Sequence, residues 1–154
     1  MVERSVAHGS FAIERTFRAP PAMVFAAWAE QAAKGRWFAA APEGWTTALY
    51  ELDFRVGGRE VWRGGPGDGP QHAFAGHYLD IVPNERIIYA YDMHLDAVRI
   101  SVSLATVEFH ADGTGTRMLF TEQAAFLDGH DNLAQRRGGT EELLDLLATE
   151  VEGG

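Results

Sequence analysis

From His72 to Gln123 the chain offers four strand-length segments in succession, joined by turns too short for anything but antiparallel pairing. His72–Val82 ends at Pro83-Asn84-Glu85, and Arg86–His94 follows. Arg99–Phe109 ends at ADGTG (Ala111 to Gly115), and Thr116–Gln123 follows. A connection from Ala124 to His130 then leads into a helical pattern that runs from Asp131 to about Glu150. There Leu133, Thr140, Leu144, Leu147 and Val151 recur at spacings of three, four and seven, with Leu143 beside them. A meander of this length followed by one long amphipathic helix has few ways to bury its apolar surface. The simplest is a strongly curved antiparallel sheet with the helix across its concave face.

The N-terminal part supplies the remaining elements. Ser10–Arg18 alternates, with Phe11, Ile13 and Arg15 on one side, and reads as a strand. Pro20-Pro21 stops it, and proline is tolerated in the first turn of a helix. Val24, Phe25 and Trp28 then share one helical face, and a second short helix is expected over Gln31–Arg36. Leu49–Arg55 and Arg59–Arg63 flank Gly57-Gly58 as a hairpin. The run GGPGDGP, Gly64 to Pro70, is expected to be the most flexible stretch and to lie outside any element. Gly138-Gly139 costs the last helix about 2 kcal/mol relative to alanines. It marks either a kink or boundary there, or a position that needs free volume. The reading is α+β: one domain spanning 1–154, ordered from about Ser10 to Val151, with the first nine residues and the final Glu-Gly-Gly frayed.

Composition excludes several functions. With no cysteine, the chain has no disulfide, thiolate metal site or cysteine nucleophile, which fits a cytoplasmic location. A net charge of −9 without a dense basic cluster argues against nucleic acid. MVERSVAHGS has no apolar signal segment, and no apolar run is long enough to insert in a membrane. The scattered histidines form no metal-ligating pair, and neither phosphate-loop nor nucleophile-elbow motifs occur.

The order of elements is that of the helix-grip fold, and particular segments carry a family likeness. FRAPPAMVFAAW (Phe17 to Trp28), KGRWF (Lys34 to Phe38), DFRVGGRE (Asp53 to Glu60), GHYLDIVPNERIIYAYD (Gly76 to Asp92), GTRMLFTEQAAF and GTEELLDLLATEV run in order. Together they resemble the START-like (SRPBCC) superfamily, in the family of activator-of-heat-shock-protein-ATPase homologues, which includes polyketide cyclase-like members. The resemblance implies a hydrophobic ligand cavity between sheet and last helix. It does not imply one activity, since the family also contains carriers, resistance proteins and a co-chaperone domain. Many relatives carry Gly-Trp where this chain has Gly139-Thr140, so the volume under the helix is expected to differ.

Strand alternation nominates the residues facing that cavity. Met118, Phe120 and Glu122 share a face, and two are large and apolar, so Glu122 would be a carboxyl among apolar groups, or else a solvated residue at the sheet end. His77, Leu79 and Ile81 are taken as inward, making His77 an acid–base candidate, or else a hydrogen-bonded structural histidine. Ile87, Tyr89, Tyr91 and Met93 form an amphipathic row, and Ser101, Ser103, Ala105, Val107 and Phe109 a row that leaves room. A bulge would exchange the rows of any strand. Trp28, Trp37, Trp62, Thr140 and Leu144 complete the candidate wall, with Trp45, Phe38 and Phe126 over its mouth; core packing explains each equally well. The opposite row Val102, Leu104, Thr106 is also apolar and is a candidate homodimer surface. The function expected first is binding of a small hydrophobic molecule, lipid-, aromatic- or polyketide-like, without a cofactor. The alternatives are a cyclase- or hydratase-type acid–base enzyme in the same cavity, with Glu122 or His77 as the catalytic group, and a protein-interaction module.

Overall fold

The structure is a computed structural model that describes residues 3–153, as seven strands and three helices. β1 (Val6–Phe17) leads through the two prolines into α1 (Pro21–Ala29) and α2 (Gln31–Trp37). Then come β2 (Trp45–Leu52), β3 (Arg59–Pro66), β4 (His72–Val82), β5 (Arg86–Leu95), β6 (Val98–Asp112), β7 (Gly115–Leu127) and α3 (Leu133–Glu152). The strands form one sheet in the order β1-β7-β6-β5-β4-β3-β2, every neighbouring pair antiparallel. The sheet is not closed: β1 and β2 are its edges. The long helix packs on β1, α1 and α2. This is the α+β helix-grip-like architecture expected from the element order.

Several boundaries differ, each for a pairing reason. β1 begins at Val6 because Val6–Gly9 pairs with Leu127–Ala124. The same pairing makes Ala124–Leu127 a strand end and not a loop. Of the segments expected to fray, Met1, Val2 and Gly154 lie outside the described residues. β2 begins at Trp45 and slips register between Thr47 and Leu49. Gly64, Gly65 and Pro66 lie within β3, opposite Thr47, Thr46 and Trp45, so only the second half of GGPGDGP is a turn. Glycine is required there by close approach: a Cβ on Gly64 would stand 2.5 Å from the Thr46 carbonyl oxygen.

α3 starts at Leu133, with the Asn132 side chain accepting from the Gln135 N–H at 2.9 Å. It runs unbroken through Gly138-Gly139, and a Cβ at either glycine would meet nothing within 4 Å. Gly138→Ala should therefore stabilise the protein by about 0.5–1 kcal/mol, through unfolded-chain entropy. In a thermal melt this is a rise of roughly 1–4 °C; no rise would mean that the helix needs its glycine conformationally.

The core answers for the apolar helix α1. Val24 is fully buried, and Phe25 meets Phe109 edge-on at 5.5 Å between ring centroids. Trp28 stacks on Phe120 at 6.3 Å and meets Trp37 edge-on at 4.8 Å. On the outer face of β6, Val102 is exposed while Leu104 and Thr106 are half-buried.

Candidate functional site

The inward rows of the sheet, α1, α2 and the first turns of α3 leave a pocket of about 310 Å³. All four tryptophans of the chain line it: Trp28 from α1, Trp37 from α2, Trp45 from β2 and Trp62 from β3. Tyr89, Tyr91 and Met93 from β5 and Phe120 and Glu122 from β7 form the sheet side. Thr140 and Leu144 look down from α3, with Gly139 at the mouth, and Phe38 closes the α2 end. These positions follow from alternation on β5 and β7 and from the helical stripe.

Four residues predicted to face the cavity or its mouth are elsewhere. His77 is exposed on the outer face, and so is Leu79. The inward row of β4 is Phe74, Gly76, Tyr78, and a register shift between Tyr78 and Asp80 then brings Ile81 against the core. A row drawn straight back from Ile81 misses that extra residue and lands on His77. Met118 faces inward with no exposure, but as core beyond the pocket: it pairs with Phe109, on which α1 sits. Phe126 belongs to β7, is buried with its ring centroid 5.4 Å from the Arg136 guanidinium carbon, and does not line the pocket.

The polar end of the pocket is built around Arg136, which the sequence reading did not single out. Its Nη1 donates to Tyr91 Oη at 3.0 Å, Glu122 Oε2 at 3.2 Å and Ser103 Oγ at 3.3 Å. Its Nη2 donates to Ser101 Oγ at 2.6 Å and Asp131 Oδ2 at 2.9 Å. Tyr91 in turn donates to Glu122 Oε2 at 2.7 Å. Glu122 is 1% exposed, and among the described residues no group reaches its other oxygen, Oε1. The indole N–H of Trp28 is likewise buried without a partner. Burial, reinforced by Glu122, pushes the Tyr91 phenol well up, so it remains a donor. Burial also holds His72, another lining residue, below the usual histidine value against the opposing pull of Asp96. Burial thus favours its neutral form.

Behind the aromatic wall sits a second buried group. Lys34 and Glu60 are each 1% exposed and 2.7 Å apart. Tyr78 donates to Glu60 Oε1 at 2.8 Å and Tyr50 to Oε2 at 2.7 Å. The ammonium stands 4.6 Å from the Phe38 ring centroid and 5.2 Å from that of Trp28. Burial lowers the Lys34 pKa, against the pull of Glu60. Among the described residues no group of three or more His, Cys, Asp or Glu is placed to hold a metal, and no helix is long and apolar enough to cross a membrane.

A sheet gripping one long helix over an aromatic pocket defines the START-like class of folds. Within it, the chain belongs to the family of activator of Hsp90 ATPase homolog 1-like proteins, whose model matches residues 18–152. Among solved structures it is similar to a protein from Rhizobium leguminosarum, with 49% identity over 99% of both chains and a TM-score of 0.94. It is similar also to Mll3558 from Rhizobium loti, at 43% identity over 95% of this chain and 99% of that one, TM-score 0.88. With CV1439 from Chromobacterium violaceum the identity is 27% over 93% and 96%, and the TM-score 0.76. No curated protein matches the chain.

Proposed function

We propose that the protein binds a small molecule with an apolar body in the pocket beneath α3, holding it by shape and by a few polar contacts at the Arg136 end. The observation that carries this reading is the lining itself. Four tryptophans, two tyrosines and three phenylalanines surround about 310 Å³ of space, and one polar cluster sits at one end of it. That is the usual anatomy of a small-ligand site: an apolar concavity with a small number of fixed polar groups. Family membership supports the same reading, since the family includes ligand binders and cyclase-like proteins.

The tryptophans also supply the test. Because every indole in the chain lines the pocket, intrinsic emission should shift saturably when a transparent alicyclic ligand such as adamantylmethanol is added. Native mass spectrometry should show one ligand per chain. An unsaturable or absent response to apolar compounds of this size, with no small molecule retained on purification, would remove the binding reading.

A second reading, acid–base catalysis in the same pocket, draws on Glu122 and Tyr91, whose oxygens are 2.7 Å apart at the pocket wall. It no longer draws on His77. The two readings differ in one observable: whether a bound ligand leaves chemically changed.

A further inference from the structure

An arginine at the end of an aromatic pocket invites the expectation of a carboxylate ligand, such as a fatty or aromatic acid. The contacts of Arg136 argue the reverse. Both its terminal nitrogens are engaged within the chain, Nη1 by Tyr91, Glu122 and Ser103 and Nη2 by Ser101 and Asp131. Two carboxylates already face this one guanidinium, Glu122 at 3.2 Å and Asp131 at 2.9 Å. All three side chains line the pocket, so its charged end carries one negative charge in excess. Lys34 does not alter that count, because Glu60 neutralises it at 2.7 Å. What the described residues leave unmet at this charged end is an acceptor, Glu122 Oε1, on a residue 1% exposed at the pocket wall; the other unpartnered group on the wall, the Trp28 indole N–H, is a donor on α1 outside this hydrogen-bonded cluster. A buried carboxylate oxygen without a donor is costly, and a ligand that supplies the donor relieves that cost.

We infer that the polar head of the ligand is an uncharged or cationic hydrogen-bond donor, a hydroxyl or a protonated amine, received by Glu122 Oε1, and that anionic heads are rejected. This deepens the binding reading above and rests on it. Aromatic walls add to the preference, since indole and phenol faces attract an ammonium and do nothing for a carboxylate. Arg136 is then a positioning residue: it holds the Glu122 and Tyr91 oxygens in place and leaves Oε1 free.

The test is an isosteric series, adamantylmethylamine, adamantylmethanol and adamantanecarboxylate, titrated calorimetrically into the full chain at pH 7. The amine and the alcohol should each bind about tenfold or more tightly than the carboxylate, the order expected when a hydrogen bond to a charged group is gained in two cases and like charge is met in the third. Binding of the carboxylate as tightly as either of the others overturns the inference while leaving the pocket a binding site. Failure of all three to bind overturns the inference and removes the binding reading with it. Glu122→Gln, which keeps the shape and removes the charge, should narrow the gap between amine and carboxylate several-fold. An unchanged gap in a variant that still melts cooperatively would show that Glu122 is not the receiving group. The wild-type series decides the class of head group even if that variant fails to fold.

Discussion

Lys34→Met should lower the stability of the protein by about 3–5 kcal/mol, the typical cost of removing one partner from a buried ion pair. Against a total of roughly 5–15 kcal/mol for a domain, that is a large share. The cause is what remains. Glu60, 1% exposed, would keep its two tyrosine donors but lose the cation it is paired with, among rings that cannot solvate a carboxylate. The double variant Lys34→Met, Glu60→Gln should recover most of the loss. Methionine fills the space of the lysine stem between the rings, and the glutamine oxygen can still accept from Tyr50 or Tyr78. Urea unfolding at unchanged m decides it: a double variant no more stable than the single one would mean that packing of the lysine stem, not its charge, is what matters. Ligand binding should weaken in the single variant as well, because the Phe38 and Trp28 rings that pack around the ammonium also wall the pocket.

How far the sequence reveals such a site depends on which periodicity each residue obeys. On β5 and β7 strict alternation placed Tyr89, Tyr91, Phe120 and Glu122 on the inner face without any tertiary information. On β4 the same rule fails for His77 and Leu79, because a one-residue bulge is invisible in a pattern where both faces carry apolar side chains. Arg136 was legible in principle. The apolar stripe of α3 jumps seven residues from Leu133 to Thr140, and Arg136 stands three beyond the first and four before the second, on the same face. Its charge hid it, since a charged residue on a helix is ordinarily a solvated one. Lys34 and Glu60 carried no such signal. One lies on a seven-residue helix and the other at a hairpin, and only the packing of α2 against the sheet brings them together across 26 positions of sequence. The strand ends were misplaced for a related reason: Val6–Gly9 and Ala124–Leu127 are weakly patterned alone and become strands by pairing with each other.

One position on the long helix bears directly on the volume of the pocket. Thr140 is buried, lines the pocket, and donates its hydroxyl to the Arg136 carbonyl one turn back at 2.8 Å, so its side chain occupies little of the space beneath it. Thr140→Trp should place an indole in that space and lower the affinity for adamantylmethanol at least tenfold. Stability should hold or rise, because the new ring buries apolar surface and the lost hydroxyl takes its own donor away with it. Thr140→Val, nearly the same shape, should leave affinity within about threefold and serves as the control for the hydroxyl. Calorimetry with a parallel melt separates the outcomes. A Thr140→Trp protein that folds and binds as tightly as the parent would place the ligand elsewhere. One that loses binding and stability together would show an overpacked helix interface and not a filled pocket. The expected combination, a stable protein that no longer binds, arises only if the empty volume under α3 is the binding site.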